Sequence, residues 1–131
     1  MTRQAVVPRH GGVHDLATLT EELGAAALKS PAHRSGRTLV AVGDLRVTAI
    51  ALAAGAELAE HESPGAATLQ VLAGSCRLVT AGDPGPAGDG AQESSLDLGA
   101  GALAQIPPVR HSLTTEAGCV VLLTVGLDRT G

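Results

Sequence analysis

Two hydrophobic periods divide the chain. In HDLATLTEELGAAALKS, Leu16, Leu19, Leu23 and Ala26 or Ala27 recur at three- and four-residue intervals, which puts one apolar face on an α-helix. Asp15 stands where an N-cap belongs, with a carboxylate able to accept from the first-turn N–H groups. Glu21 and Glu22 fall on the polar side, and Pro31 and Gly36 close a helix predicted over residues 14–30. After it the period shortens to two. RTLVAV reads as a strand, Gly43-Asp44 as a turn, and LRVTAIAL as a second strand. That second strand sets Leu45, Val47, Ala49 and Ala51 against Arg46, Thr48, Ile50 and Leu52, one face being partly polar. GAELAEH leads to a turn at Ser63-Pro64-Gly65, and ATLQVLA and SCRLVT flank Gly74. AGDPGPAGDGAQ is a Gly/Pro loop, and SSLDL, ALAQIPP, HSLTTE and CVVLLTVGL supply further strands. Short strands at intervals of about ten residues, with no crossover helices between them, predict an all-β sandwich or barrel rather than a parallel α/β sheet. Residues 1–13 are polar and aperiodic and read as an arm, with the barrel predicted over 37–129.

Composition narrows the function. A chain of 131 residues suits one domain with its own core. An apolar fraction of 44% against 17% charged residues excludes wholesale disorder. A net charge of -4 gives no electrostatic footprint for nucleic acid. Phe, Tyr and Trp are absent, so bases and sugars find no stacking surface, and the core must come from Leu, Val, Ile and Ala. Such a core is thin, and contacts in an oligomer are expected to supply part of the stability. MTRQAVVPRH lacks the apolar core of a signal peptide, and no apolar run is long enough to span a bilayer; a cytoplasmic protein without membrane contact is the expectation. Cys76 and Cys119 lie in apolar, strand-like runs without CxxC spacing, and read as reduced core cysteines.

Two segments carry a resemblance. Gly55 is followed by five residues and His61; Ser63 stands one residue further on, Ala67 after three more, and Gly74 after another six. Downstream, Gly101 is followed by five residues and Pro107, and PPVRH ends in His111. This pattern resembles the paired motifs of the cupin superfamily, small double-stranded β-helix or jelly-roll proteins. The first-motif spacing is intact, with Ser63 in place of a second His and Ala67 in place of a Glu. The second motif is one residue shorter and lacks its inner Gly. Thr115 stands where the family often has Asn. Together with the front helix, the texture resembles a group of small single-domain bacterial cupins. The resemblance implies an all-β, double-stranded β-helix (jelly-roll) barrel preceded by one α-helix, and covers about residues 39–127.

The resemblance also implies a metal (iron, manganese, nickel, copper or zinc) in the barrel mouth, held by three His and a Glu. Here only His61 and His111 remain. Two imidazoles leave most positions to solvent and provide no anionic donor, so a weak or absent metal is expected. Cys76 is the candidate for a third, soft ligand. Glu60 and Glu62 should point away from His61, and Ser63 is a poor ligand. Strand alternation separates Gln70 from Ala67, although Gln70, Ser63 and Cys76 remain candidates for contacting a ligand. His10, His14 and His33 read as surface residues, and Arg110 as solvated. Two readings follow. The first is a binding module that holds a small, largely apolar molecule against His61 and His111. The second is an enzyme in which the same histidines act as acid and base in a metal-free isomerisation, cyclisation or dehydration, or assist metal-dependent oxygen chemistry.

Overall fold

The computed structural model describes residues 12–61, 65–80, 94–107 and 109–127, with residues 60 and 61 as backbone only. Among the described residues, one helix, α1 (Leu16–Lys29), precedes eight strands: β1 (Arg34–Val42), β2 (Leu45–Leu52), β3 (Glu57–His61), β4 (Gly65–Thr80), β5 (Ser94–Gly99), β6 (Leu103–Ile106), β7 (His111–Thr114) and β8 (Cys119–Leu127). All the pairings are antiparallel. The expected all-β barrel behind a single helix is what the chain forms. The predicted arm lies outside the described residues except for Gly12 and Val13, and so does the Gly/Pro loop.

Strand β4 organises everything else. Its first half pairs with β8 on one side and β6 on the other, completing a sheet that runs β1-β2-β8-β4-β6. Its second half pairs with β5 and β7, and β7 pairs with β3, giving a second sheet β5-β4-β7-β3. The two strands expected on either side of Gly74 are therefore one strand that leaves the first sheet and enters the second. Gly74 sits at the crossing with φ +74, a conformation that costs an L-residue about 1–2 kcal/mol. A Cβ there would also collide with the carbonyl oxygen of Gly118 and come within 3.0 Å of the Cα of Cys119. Only glycine lets the two backbones approach this closely while the strand bends. A bulge between Val71 and Ala73 adds twist just before the bend.

Two apolar layers result. Between the sheets lie Leu52, Leu69, Val71, Leu78, Leu113 and Val121 with Cys76 and Cys119. On the outer face of the first sheet, Ala49, Ala51, Ala53 and Val120 receive Leu19, Leu23 and Ala27 of α1. The alternation in β2 thus sorts as its sequence suggests: Ala49 and Ala51 lie under the helix, Ile50 and Leu52 face the barrel, and the small alanines let α1 approach. Each buried leucine of the helix stripe contributes about 2 kcal/mol. The helix is further tied down by polar contacts. Asp15 accepts from the N–H groups of Ala17 (3.1 Å) and Thr18 (3.3 Å), as its capping position requires. Ser35 Oγ donates to the Leu23 carbonyl at 2.7 Å, and Arg37 pairs with Glu22 at 3.3 Å.

Two expectations need correction here. Gly36 does not mark the helix end, because β1 already starts at Arg34; Gly36 lies in that strand opposite Ile50. His14 is not a plain surface residue. It is half-buried, and its Nε2–H donates to the Leu39 carbonyl at 3.0 Å, pinning the start of α1 to β1. His33 is exposed, as expected, at φ +59 in the turn into β1.

The bend at Gly74 gives a sharp expectation. Gly74→Ala should lower the unfolding free energy by about 3 kcal/mol or more, because strain and a backbone collision add. Gly101→Ala, also at positive φ but with open space around its Cβ, should cost only about 1–2 kcal/mol. Urea unfolding of the two variants checks the difference; equal losses would contradict the assigned role of the bend.

Candidate functional site

His111 opens β7 on the barrel side of the second sheet and is 4% exposed. Its Nδ1 lies 2.9 Å from the carbonyl oxygen of Val109. A carbonyl can only accept, so Nδ1 carries the proton, and in the neutral ring Nε2 is the acceptor atom. Local chain geometry thus fixes both tautomer and ring orientation. Across the strand on one side stands Thr80, whose hydroxyl is committed to Ser94, donating to its carbonyl at 3.3 Å and lying 2.6 Å from its Oγ. Across the strand on the other side stands His61, the register partner of His111. That pairing follows a bulge in β3 between Leu58 and His61, where three steps along β3 match two along β7. The fold therefore brings the two motif histidines to opposite positions on adjacent strands.

The surroundings of His111 are aliphatic. Ile50, Leu58, Leu69, Leu78, Ile106, Leu113, Val121 and Leu123 line the same cavity, whose volume is about 20 Å³. That is room for roughly one water molecule. Directly outside it, between β1, β2 and β3, lies a groove of about 410 Å³ lined by Ala32, Arg34, Ser35, Gly36, Thr48, Ile50 and Leu58. Ile50 and Leu58 belong to both linings, so the groove and the His111 cavity adjoin at these two residues. Gly36 helps to open the groove, since it presents no side chain opposite Ile50. Ile50 and Leu58 were not singled out from sequence, where both read only as ordinary strand residues.

The other sequence candidates fall elsewhere. Ser63 lies outside the described residues. Ala67 is buried between the sheets in the inward row with Leu69 and Val71. Gln70 alternates with that row and is half-buried on the face where Leu72 meets the helix layer, so it does not line the barrel. Cys76 is buried, but its neighbour is Cys119, and it lines a separate surface depression rather than the His111 cavity. Arg110 is exposed, as expected. The depression near Cys76 measures about 290 Å³ and carries Arg77, whose Nε donates to Asp97 at 2.7 Å; the guanidinium holds the Asp97 carboxyl below its ordinary range.

Thr115, two residues after Leu113, is a fastening rather than a ligand. It is 5% exposed. Its hydroxyl donates to the Ser75 carbonyl at 2.7 Å and accepts from the Gly118 N–H at 2.9 Å. Its backbone exchanges hydrogen bonds with the turn at Gly55 and Ala56, at 3.0 and 3.3 Å. One residue therefore ties β4 at Ser75 to the turn at Gly118 through its side chain and to the turn at Gly55 through its backbone, next to the Gly74 bend.

The implied metal can be tested against these donors. A tight divalent site needs at least three protein ligands with an anionic member or well-placed open positions. Among the described residues, no three His, Cys, Asp or Glu side chains converge. His111 has the carbonyl-held Nδ1–H typical of a metal-ligating histidine. The other side chains that line its cavity, however, are hydrocarbon. The described donor set does not fit a tight transition-metal centre.

No family profile and no curated protein sequence matches the chain. Its architecture is nevertheless shared by many solved structures. A conserved Streptococcus pyogenes protein of unknown function superimposes with TM-score 0.65 at 23% identity, covering 93% of this chain and 92% of that one. A cupin superfamily protein from Desulfitobacterium hafniense gives TM-score 0.60 at 17% identity over 72% of this chain and 78% of its own. An RmlC-like cupin from Shewanella frigidimarina gives TM-score 0.58 at 22% identity over 74% and 78%. No described helix is long and apolar enough to cross a membrane.

The role of Thr115 can be checked by substitution. Thr115→Val keeps the shape and removes both hydroxyl bonds, leaving the Ser75 carbonyl and the Gly118 N–H without them. A loss of about 2–4 kcal/mol in urea unfolding is expected, with most of it restored in Thr115→Ser. A Val variant as stable as the parent would contradict the assignment.

Proposed function

From the cupin barrel that this chain adopts, we propose that it is a small-molecule-binding protein whose ligand sits in the groove between β1, β2 and β3 and reaches toward His111. The observation that carries this reading is the shared lining. Ile50 and Leu58 line both the 410 Å³ groove and the small His111 cavity, so rotamer changes in two aliphatic side chains would join them. The groove is of a size that takes small ligands, generally about 300–1,000 Å³. Its lining combines Ala32, Ile50 and Leu58 with Arg34, Ser35 and Thr48. A short aliphatic chain ending in a carboxylate or carbonyl fits this chemistry: the chain against Ile50 and Leu58, the oxygen end available to Arg34 or to a histidine. Without aromatic residues, recognition rests on shape and aliphatic contact. Ser63 and His61 belong to this reading as candidate contacts at the barrel mouth.

A metal is weak or absent in this proposal. His61 and His111 would supply two neutral donors and no anionic one. Element analysis of untagged protein should find iron, manganese, nickel, copper and zinc well below one per chain. A stoichiometric metal that disappears in His111→Ala would overturn this part.

A second reading is favoured by one observation, the direct register of His61 with His111. Two imidazoles at opposite strand positions suit general acid-base chemistry near neutral pH on a bound carbonyl compound. In that case His111→Gln would abolish turnover while binding survives. We also propose a homodimer paired through exposed edge strands, which light scattering at micromolar concentration would refute by finding a monomer.

Ligand binding is tested with hexanoate and 2-hexanone as probes, followed by methyl and imidazole NMR shifts. Perturbations should centre on Ile50, Leu58 and His111. Leu58→Arg should weaken both probes about tenfold or more, whereas Arg34→Ala should weaken hexanoate selectively. Shifts confined to residues near Arg77 and Asp97, or none at millimolar probe, would contradict the proposal.

A further inference from the structure

The two cysteines, far apart in sequence, meet at the Gly74 bend. Cys76 follows the bend by two residues and lies in the second sheet, paired with Leu98 of β5. Cys119 opens β8 in the first sheet, paired with Leu52 and with Gly74 itself. The backbones beside them touch: the Ser75 N–H donates to the Gly118 carbonyl at 3.4 Å. Both thiols are free, both are buried, and both belong to the layer between the sheets. Each thiol shifts the other's pKa across the junction of the two sheets.

The two shifts run in opposite directions. The Cys76 S–H stabilises a Cys119 thiolate and lowers that thiol's pKa against the opposing effect of burial. The same contact, together with burial, pushes the Cys76 thiol well up. One sulfur is thus the better nucleophile and the other keeps its proton beside it, the asymmetry a dithiol needs in order to couple.

We propose that Cys76 and Cys119 are an oxidisable pair that closes to a reversible disulfide, turning the junction of the two sheets into a covalent staple. The oxidant is of the hydrogen peroxide class, small enough to enter the surface depression that Cys76, Thr115 and Glu116 line and to pass Cys76 to reach Cys119, which lies outside that lining. The Cys119 thiolate attacks one peroxide oxygen; an S–O bond forms, the O–O bond breaks, and hydroxide leaves. The Cys76 sulfur then attacks the sulfenic sulfur. The S–S bond forms, the S–O bond breaks, and oxygen leaves as water with the Cys76 proton. The sum is two thiols and one peroxide giving one disulfide and two waters. At 6% and 5% exposure, the two sulfurs are shielded from other protein chains, so coupling is within the molecule. The bond would close a loop containing β5, β6 and β7 and hold Gly74 in its bend. This site is independent of the groove and of His111.

The test uses the full-length reduced protein, desalted and exposed to hydrogen peroxide. Intact mass should fall by about 2 Da, and both thiols should become unavailable to alkylation after denaturation. A peptide map should show Cys76 joined to Cys119 within one chain. The melting temperature should rise by roughly 10 °C and return with dithiothreitol. C76S and C119S should each abolish the peroxide-dependent rise. Mapping on unsubstituted protein keeps the result decisive if either variant folds poorly. Mass gains from sulfur oxygenation without a crosslink, disulfides between chains, thiols still alkylatable after exposure, or a linkage that leaves the melting temperature unchanged would each overturn the proposal.

Discussion

The close passage of β4 over the turn before β8 sets the rest of the structure. At Gly74 the strand bends at positive φ, with its Cα packed against the Gly118 carbonyl and Cys119. Because of that bend one sixteen-residue strand serves both sheets, pairing with β8 and β6 before it and with β5 and β7 after it. Thr115 secures the same junction from the side by bonding Ser75 and Gly118. The sheets cannot move apart without disturbing these contacts. His111, which β7 carries on the second sheet, is therefore held in fixed relation to Ile50 on the first.

Without aromatic residues the chain builds two thin aliphatic layers instead of one thick core. The helix is needed for this. Its stripe of Leu19, Leu23 and Ala27 covers the alanine face of β2, which would otherwise be an exposed apolar sheet. The arrangement leaves β1 and β2 extending toward the β3 edge with a groove between them, and Gly36 keeps that groove open. Small side chains thus account both for the close helix and for the space beside the barrel.

Much of this was legible in the sequence because it depends on local periods and turn chemistry. The Asp15 cap, the helix stripe and the alternation in β2 all appear in the structure at the expected positions. What escaped was non-local or depended on a bulge. The bulge in β3 places His61 opposite His111, and no period of two reveals it. Gly74 looks like a strand end until its clash with Gly118 is seen. Cys76 invited a reading as a metal ligand because its true neighbour, Cys119, lies far along the chain. Gln70 reads in sequence as a polar group able to contact a ligand, but it lies on the helix-side face, as strand alternation implies. The weight of Ile50 and Leu58 comes only from their position between two cavities.

On the proposed function, a ligand reaches toward His111 from the groove beside β1, β2 and β3. Xenon reports such space directly, since it occupies apolar cavities without polar partners. Diffraction from crystals under xenon pressure should show an atom against Ile50 and Leu58, displaced toward His111. Xenon bound only in the polar depression near Arg77 and Asp97, or absent from the groove at saturating pressure, would contradict it.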